Sequence, residues 1–348
     1  MLWVSTISEL LNQGDELGKR LAHRLDELES QLHQVVRIGD EFIDTATSHL
    51  SDAGGKRLRP LLCMLAAELG SDPDSQKVFD SALVVELTHL ASLYHDDVID
   101  DAPLRRGVPS AQNLYGNRAA IMAGDVLFAR ASSIVAGLGP AAVRMHAEAF
   151  ERLCMGELHE TAGPREGDDP IYHYLRVLAD KTGSLIAVSA RSGVLASGGS
   201  EDMADIVAEY GELVGVAFQI ADDVIDLISD RETTGKTPGT DLLEGVDTMP
   251  ILLLRERAAR AGEKGEKFAA VDPAGAEILE LLDSGDLASG NNLERAVMLA
   301  REHIVLDETK RLAQKFAGDA IGKLTKLPPG QVRSTLESFA RMMVDRLS

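Results

Sequence analysis

Cysteine is nearly missing from this sequence, with two residues among 348. Cys63 and Cys154 lie in apolar, helix-like stretches that contain no second cysteine or histidine at metal-ligand spacing. Such residues are typical of reduced core thiols, so we expect neither a disulfide framework nor a thiol-bound metal. The N-terminus lacks the basic and hydrophobic regions of a signal peptide. These features together predict a cytoplasmic protein.

Positive charge is also scarce. The chain has 35 Lys and Arg residues against 56 Asp and Glu, which gives a formal net charge of −21. A field of that sign repels nucleic acid and anionic membrane surfaces, so we expect neither as a partner. No run of 18 apolar residues occurs, and the sequence therefore predicts no membrane-spanning segment. An anionic substrate would have to be held by local clusters of cations.

The sequence signatures of nucleotide-binding folds are absent. No Gly-x-Gly-x-x-Gly follows a strand-like segment. The tripeptide Gly235-Lys236-Thr237 resembles the end of a phosphate-binding loop, but Asp230 stands where that motif needs a glycine. Alternating, strand-like patterns are rare, and aromatic residues make up only 4% of the chain. Nucleotide binding and a sheet-based fold are both disfavoured.

Helical periodicity is what the sequence does contain. Leu21, Leu25, Leu28, Leu32 and Val35 recur at the spacing of one helix face, with acidic residues between them. Further helix-length segments are predicted at residues 82–101, 118–137, 141–160, 174–197, 203–228 and 249–261. Most of the prolines fall at the joints between such segments. The fold class predicted is therefore all-α, a helical bundle with its site between facing helices.

The domain organisation predicted is a single helical domain over residues 1–348, with residues 1–20 as an N-terminal extension. The length alone would suggest two domains, but large all-α folds depart from that rule. Residues 258–290 are rich in Gly, Glu, Lys and Asp, and we expect them to form a mobile region.

The pentapeptide Asp-Asp-Val-Ile-Asp occurs twice, at residues 96–100 and 222–226. On a helix, residues four apart share a face, so the first and last aspartates of each pentad present their carboxylates together. One such pentad could be a solvated helix face, but two identical pentads in apolar segments need a compensating cation. Hard oxygen ligands suit Mg²⁺, and a metal cluster of this kind could hold a diphosphate leaving group.

Two basic elements accompany the pentads. Residues 54–60 read Gly-Gly-Lys-Arg-Leu-Arg-Pro, which places three cations behind two glycines at the start of an apolar helical segment. Backbone amides at a helix N-terminus and forked arginines favour a bound phosphate, although a basic loop without a ligand is the plainer alternative. Arg105-Arg106 follows the first pentad by five residues and indicates a second phosphate contact.

These motifs together resemble a trans-isoprenyl diphosphate synthase of the polyprenyl synthetase family, over nearly the whole chain from about residue 20. The motifs, in order, are Gly54-Gly-Lys-Arg-x-Arg-Pro, His89 within Leu-Thr-His-Leu-Ala-Ser-Leu-Tyr-His-Asp-Asp, Arg105-Arg106-Gly, Lys181-Thr182-Gly183, Gln219-Ile-Ala-Asp-Asp and Gly235-Lys236. The resemblance implies an isoprenoid-synthase-type helical bundle with a central active-site cavity. It also implies addition of isopentenyl diphosphate to an allylic diphosphate, three Mg²⁺ ions and a homodimer.

The resemblance also implies individual roles. Isopentenyl diphosphate would be held by Lys56, Arg59, His89 and Arg106. The main Mg²⁺ ligands would be Asp96, Asp100 and Asp222, with Asp97, Asp223 and Asp226 as further ligands or supporting partners. The allylic diphosphate would be contacted by Arg105, Lys181, Thr182, Gln219 and Lys236. Among these residues, His89, Lys181-Thr182 and Gln219 also have structural readings: a core histidine, a helix kink and a buried hydrogen bonder.

Product length is predicted from the residues before the first pentad. Bulky aromatics at positions 91 and 92 block elongation in related short-chain enzymes, and here the residues are Ala91 and Ser92. This favours a long all-trans polyprenyl product, for example a quinone side-chain precursor, unless a bulky residue near Leu87 or Val84 closes the tunnel. Val246 replaces a lysine that many family members carry, which further weakens a farnesyl-type assignment.

Three alternatives to a long-chain synthase remain open at this point. The first is a short-chain geranyl, farnesyl or geranylgeranyl diphosphate synthase. The second is a class I terpene cyclase, against which the basic loop at residues 54–60 argues. The third is a non-catalytic subunit of a heteromeric prenyl synthase, against which the intact pentads argue.

Overall fold

A computed structural model of the chain describes residues 16–229 and 238–345. Over these residues the structure is helical apart from one short hairpin, so the predicted all-α class is confirmed. The helices, in chain order, are α1 Glu16–Val35, α2 Glu41–Asp52, α3 Leu58–Ala67, α4 Gln76–Ile99, α5 Ala111–Tyr115, α6 Asn117–Gly137, α7 Pro140–Ala162, α8 Pro170–Leu178, α9 Ser184–Ala196, α10 Glu201–Ile228, α11 Thr240–Leu243, α12 Met249–Glu263, α13 Phe268–Val271, α14 Pro273–Asp283, α15 Asn292–Glu302, α16 Ile304–Lys323 and α17 Gln331–Val344. The hairpin pairs β1 Leu104–Arg105 with β2 Val108–Pro109 in antiparallel register.

Four of the six predicted helices have boundaries within two residues of those observed, while the helix predicted at 82–101 begins earlier, at Gln76, and ends at Ile99. The predicted segment 174–197 begins earlier, at Pro170, where the Asp169 side chain accepts from the amides of Ile171 and Tyr172 and caps α8. Proline at the first helical position suits this capped start. The segment is then interrupted by a π-helical turn, Ala179–Gly183, before α9 continues. That turn carries the Lys181-Thr182 motif.

The mobile region predicted for residues 258–290 is wrong. Helix α12 continues to Glu263, and α13 and α14 occupy much of the remaining segment. Asp272 caps α14 by accepting from Gly275 N, and it also contacts the buried His303 side chain at 2.9 Å. The prediction relied on the charged composition of this segment. The apolar residues of the segment, such as Ile278, are buried by tertiary packing, and this stabilises the helices.

The chain divides into two compact units that interleave along the sequence. The first comprises the described residues of Met1–Cys154 together with Gly183–Glu212 and Ile321–Phe339. The second comprises Met155–Thr182 and the described residues of Leu213–Ala320 and Ala340–Ser348. Neither unit is a continuous stretch of chain. The single domain and the N-terminal extension inferred from the sequence stay predictions.

The core of the first unit surrounds helix α4. It packs against α6, α3 and α9, and its side chains are buried on nearly every face. The buried residues in the cluster around α4 and α6 include Leu83, Leu87, Leu90, Ala91, Tyr94, Ala123, Leu127 and Ala131. The Tyr94 hydroxyl donates to Ala46 O at 2.6 Å and ties α4 to α2. The first pentad thus ends a rigid, buried helix.

The core of the second unit surrounds the C-terminal half of α10. Its buried members include Val216, Ala217, Ile220, Ala221, Val224 and Leu227, which pack with Met249, Ile251 and Leu254 of α12. The apolar residues before the second pentad are therefore core residues, as their pattern suggested. The pentad is carried on a helix whose rotation is set by packing.

Helix α6 is, among the described residues, the one helix long and apolar enough to cross a membrane by length and composition. A third of its apolar window is buried inside the protein. Ala123 and Leu127 on that buried side belong to the core around α4. A core helix meets the same criterion, so the expected lack of a membrane-spanning segment stays a prediction.

Candidate active site

The first acidic pentad lies at the C-terminal end of α4. Asp100 is the residue that caps the helix, and its amide donates to Asp96 O at 2.8 Å. The Asp96 side chain is half-buried and Asp100 is exposed. Carboxylates at the negative end of a helix are unfavourable without a cation, because the helix dipole repels them. This placement favours a cation-binding role for Asp96 and Asp100.

Asp97 has a different environment from the other two aspartates. It is fully buried, and its Oδ1 accepts from Arg105 Nε at 2.6 Å. Burial raises the pKa of Asp97, although the adjacent arginine works in the opposite direction. Of the two roles predicted for Asp97, ligand or supporting partner, the ion pair favours the second. Arg105 is thereby held beside the pentad, where a bound diphosphate could meet it.

Three non-glycine residues in the described part of the chain have positive φ angles. All three lie in loops of the first unit, within the basic motifs or directly after the first pentad. They are Arg57 at 48°, Asp101 at 48° and Arg106 at 56°. A left-handed backbone is costly for such side chains and persists only where the surroundings fix it. The two basic motifs are therefore held in defined, strained conformations.

The arginines of the basic loop have separate tasks. Arg57 is buried, and its guanidinium donates to Glu86 Oε1 at 2.7 Å and to both carboxylate oxygens of Glu29 at 2.7 and 2.8 Å. These charges raise the pKa of Arg57 against the effect of burial. Arg57 is committed to the fold, and it is not among the residues predicted to hold isopentenyl diphosphate. The phosphate site predicted for this loop depends on Lys56 and Arg59.

Arg59 and Arg106 form a cationic cluster around His89 in the first unit. Arg59 Nε is buried and has no hydrogen-bond partner among the described residues. Burial, with Arg106 nearby, lowers the pKa of Arg59 to about 10, so it stays charged at neutral pH. Arg106 Nη1 donates to Leu50 O at 2.7 Å and also to Gly54 O, which fixes this side chain against the basic loop. A buried donor without a partner indicates a missing acceptor such as a phosphate oxygen.

The charge state of His89 gives a test of this cluster. Burial and the surrounding Arg59, Arg106, Arg105 and Arg57 hold the pKa of His89 well below its ordinary value. The imidazole is therefore neutral near pH 7, and a bound diphosphate would raise its pKa again. We expect isopentenyl diphosphate binding at about pH 6.5 to take up a proton at His89 and to strengthen as the pH falls.

Calorimetry in two buffers with different ionisation heats measures this uptake. His89→Gln, which keeps a polar side chain, should bind with fewer protons taken up than the wild type. The difference between the two proteins removes any contribution from the ligand's own titration. Equal proton uptake by both proteins would show that diphosphate binding does not raise the pKa of His89.

The second acidic pentad lies near the C-terminal end of α10, in the second unit. Asp222 and Asp226 are half-buried, whereas Asp223 is buried. Asp226 accepts from the amides of Thr240 and Asp241 at 3.2 and 3.4 Å, at the start of α11. Asp223 accepts from the Tyr174 hydroxyl and from Met249 N. These contacts favour the supporting role over the ligand role for Asp223.

Lys181 lies in the π-helical turn and is held by two carboxylates of α7. Its Nζ is 2.8 Å from Glu157 Oε2 and also pairs with Glu160 Oε2. The two glutamates raise the pKa of Lys181 although burial opposes them. A side chain at Gly156 would meet the Lys181 backbone at 2.6 Å, so glycine is required for this close approach. An ammonium group has three donors, which leaves one beyond these two for a phosphate oxygen.

Three further residues are predicted to contact the allylic diphosphate, namely Thr182, Gln219 and Lys236. Thr182 is buried in the π-helical turn, and Gln219 is half-buried on α10, one turn before Asp223. Lys236 lies outside the described residues. Val246, where many family members have lysine, lies between α11 and α12 and is half-buried. Its neighbour Asp247 pairs with Arg255 at 2.5 Å.

The donor set fits a divalent metal that is shared with a substrate. Among the described residues, no three His, Cys, Asp or Glu side chains lie close enough to hold an ion by themselves. Mg²⁺ in enzymes commonly takes one or two carboxylates and completes its octahedron with water and phosphate oxygens. Asp96 with Asp100, and Asp222 with Asp226, each offer two carboxylates on one face of a helix.

Several residues of the site were missed by sequence reasoning. Glu29 and Glu86 bind Arg57, Glu157 and Glu160 bind Lys181, and Tyr174 binds Asp223. One signal was available, because Gly156 interrupts a long helical segment and such glycines often mark a close backbone approach. Tyr174 gave no signal, since its role depends on the packing of α8 beside α10.

Comparison with known proteins agrees with the arrangement of these motifs. Residues 40–277 match the family model of the polyprenyl synthetases. The chain belongs to the polyprenyl synthetase family. The match contains both pentads, the basic loop, the Lys181 turn and Val246.

Relatives named as prenyl diphosphate synthases align with nearly the whole chain. The nonaprenyl diphosphate synthase of Mycobacterium tuberculosis is 40% identical over 320 residues, which are 92% of this chain and 91% of that protein. Heptaprenyl diphosphate synthase component 2 of Bacillus subtilis is 33% identical over 92% of this chain and 88% of its own. The crystal structure of a Corynebacterium glutamicum geranylgeranyl pyrophosphate synthase, complexed with calcium and isoprenyl diphosphate, superposes with a TM-score of 0.80 at 36% identity. The superposition covers 96% of this chain and 98% of the Corynebacterium glutamicum chain.

Proposed function

We propose that this chain is a trans-prenyltransferase that condenses isopentenyl diphosphate with an allylic diphosphate into a long all-trans polyprenyl diphosphate. The observation that carries the proposal is the division of labour within each pentad. In each pentad the second aspartate is buried and held by a side-chain donor, Arg105 or Tyr174, while the first and last aspartates are more exposed. A cationic cluster supplies a separate diphosphate site, in which Arg59 Nε is buried and has no hydrogen-bond partner in the described part of the chain.

Each predicted residue has a task in this reaction. Arg59, His89, Arg106 and Lys56 hold isopentenyl diphosphate and orient its double bond. Arg105 and Lys181, each anchored by carboxylates, donate to the allylic diphosphate together with Thr182, Gln219 and Lys236. Preorganised cations of this kind stabilise charge that develops as the diphosphate leaves carbon. The proton lost from the condensing chain goes to the departing pyrophosphate, so no side-chain base is required.

The metal of this reaction is proposed to be Mg²⁺, with three ions bound. When bound, Mg²⁺ neutralises the diphosphate as a leaving group. Asp96, Asp100, Asp222 and Asp226 would hold the ions, while Asp97 and Asp223 would support them. Support comes from the hard carboxylate donors of both pentads and from the calcium bound by the Corynebacterium glutamicum relative.

The long product is proposed from the small side chains one turn before the first pentad. Ala91 and Ser92 are both buried on α4, with exposed fractions of 0% and 7%. We expect small side chains at these positions to let a growing chain pass, where a bulky side chain would block it. Relatives named nonaprenyl and heptaprenyl diphosphate synthases support the same assignment. A quinone side chain is a suitable destination for such a product.

Filling this space should shorten the product. Ala91→Phe is expected to shift the products to shorter prenyl diphosphates while the first condensation still proceeds. Overpacking at a fully buried alanine costs about 1–3 kcal/mol of folding free energy, so the melting temperature should be measured alongside. Ala91→Ser, which adds little volume, is the matched control. Chromatography of the dephosphorylated products reads the chain length, and an unchanged length would place the floor elsewhere.

The assembly and location also belong to the proposal. We infer a homodimer because α6 carries exposed apolar side chains, Ile121 and Met122, on the side away from its core contacts. The same helix of a second copy would bury these side chains at a dimer interface. A cytoplasmic location is proposed from the reduced, buried Cys63.

A subunit of a heteromeric synthase is the second candidate. It is favoured by the similarity to heptaprenyl diphosphate synthase component 2, whose name indicates a second component. The short-chain alternative is weakened by Ala91 and Ser92. The cyclase alternative is weakened by the Arg59, His89 and Arg106 cluster, which a cyclase does not need.

One assay separates these functions. The purified chain is incubated with Mg²⁺, farnesyl diphosphate and radiolabelled isopentenyl diphosphate, and the products are separated by length. Labelled, extended prenyl diphosphates are the expected result. Turnover only after addition of a second protein would indicate the heteromeric subunit. No label in any prenyl product, with or without such a protein, would contradict the proposal.

A further inference from the structure

The contact between Tyr174 and Asp223 is the starting point of a further inference. Tyr174 lies on α8, and its hydroxyl is 3.0 and 2.9 Å from the two carboxylate oxygens of Asp223. Met249 N, at the start of α12, donates to Asp223 Oδ2 at 3.2 Å. Both donors and Asp223 belong to the second unit. Residues of three helices therefore converge on one carboxylate.

This carboxylate is poorly placed to be a metal ligand. Asp223 has an exposed fraction of 5%, whereas Asp222 and Asp226 on either side of it are half-buried. A ligating carboxylate needs accessible lone pairs, and those of Asp223 face Tyr174 and the Met249 amide. Because successive helical residues point about 100° apart, fixing Asp223 fixes the directions of Asp222 and Asp226.

We propose that Tyr174 is a positioning residue for the second metal-binding pentad, acting through Asp223. The inference rests on the proposed function. The hydroxyl holds the Asp223 side chain, and this contact adds a polar anchor to the core packing that sets the rotation of α10. Asp222 and Asp226 are thereby aimed at the metal-bound diphosphate without Tyr174 touching either.

Tyr174 also lies on the helix that leads into the turn carrying Lys181, a predicted contact of the allylic diphosphate. The π-helical turn that carries Lys181 begins directly after α8. Lys181 is anchored to Glu157 and Glu160 of α7. Tyr174 thus ties the helix leading to Lys181 to the helix leading to Asp222. Loss of the hydroxyl should disturb metal and allylic diphosphate binding, and leave isopentenyl diphosphate binding intact.

The direct test uses Tyr174→Phe, which removes one hydroxyl. Residues that orient metal ligands typically contribute about 10- to 100-fold to metal affinity or activity, and Tyr174 is proposed to orient Asp222 and Asp226 through Asp223. We expect Tyr174→Phe to weaken Mg²⁺-dependent binding of inorganic pyrophosphate by about that factor. This binding is measured by calorimetry without turnover. In the assay, the KM for the allylic substrate and the Mg²⁺ requirement should rise, while the KM for isopentenyl diphosphate stays unchanged.

Two tyrosines provide matched controls. Tyr210→Phe removes a buried hydroxyl that donates to Leu336 O at 2.6 Å in the first unit, so it reproduces the loss of a buried hydrogen bond. Tyr172→Phe alters an exposed residue on the same helix as Tyr174. Tyr210→Phe should lower the melting temperature without changing Mg²⁺-dependent pyrophosphate binding. If Tyr174→Phe behaves like Tyr210→Phe, the hydroxyl is only structural and the inference is wrong.

A second variant keeps the inference testable if Tyr174→Phe does not fold. Asp223→Asn retains an oxygen that accepts from Tyr174 and Met249, but removes the charge a ligand needs. We expect Asp223→Asn to lose much less pyrophosphate affinity than Asp222→Asn. Equal losses would make Asp223 a ligand and overturn the inference. If the wild type itself neither binds pyrophosphate with Mg²⁺ nor extends an allylic substrate, the proposed function fails first and the inference with it.

Discussion

Asp222→Ala and Asp96→Ala are each expected to lower the rate of condensation by several orders of magnitude while the protein remains folded. Each variant removes one carboxylate from a pentad whose middle aspartate is already bound to a protein donor. A metal held by that pentad would lack a charged ligand and would neutralise the leaving diphosphate less well. Both side chains are half-buried, so truncation removes little core packing.

Single-turnover measurements with saturating substrates and excess Mg²⁺ separate this chemical defect from slow product release. Asp319→Ala is the matched control, because Asp319 is an exposed aspartate in the second half of α16. That variant should retain the wild-type rate. Near-normal turnover by either pentad variant, with its fold verified by circular dichroism, would refute the metal assignment of that pentad.

The largest expected effect on stability is that of Arg57→Met. The Arg57 side chain is 7% exposed and pairs with Glu86, which is 2% exposed. Removing one partner of a buried ion pair leaves the other charge without its hydrogen-bonded partner, at a cost of about 3–5 kcal/mol. Arg57 has a φ of 48°, and methionine faces the same backbone cost, so the effect reports mainly on the lost charge.

Denaturant unfolding gives the free energy for this comparison. Arg295→Met is the control, because Arg295 and Glu277 form an ion pair with exposed fractions of 45% and 42%. Exposed pairs of this kind contribute about 0–1 kcal/mol. A loss in Arg57→Met as small as that in Arg295→Met would mean that the Glu86 carboxylate is solvated or compensated by another group.

The acidic pentads and the basic loop illustrate what could be read from the sequence. The i, i+4 spacing of Asp96 with Asp100, and of Asp222 with Asp226, follows from helix geometry alone. Apolar residues before each pentad correctly indicated buried helices, since Tyr94 and Ile220 are both fully buried. Local pattern was sufficient here because helix periodicity is a local property.

The roles within each motif could not be read in this way. Arg57 and Arg59 are two residues apart and chemically identical, yet Arg57 is paired with two glutamates while Arg59 has an unpartnered buried Nε. Asp222 and Asp223 are adjacent, and only the second meets Tyr174. Burial and partners come from residues distant in sequence, so a local pattern carries no information about them.

The sequence by itself determined the all-helical class and the family, and it predicts the set of residues that carry the chemistry. These follow from helical spacing and from residue types that only a cation or a diphosphate can satisfy. Tertiary structure decided which members of each motif are anchored and which remain accessible. It did so because hydrogen bonds such as those from Arg105 to Asp97 and from Tyr174 to Asp223 form only when separate helices or loops pack together.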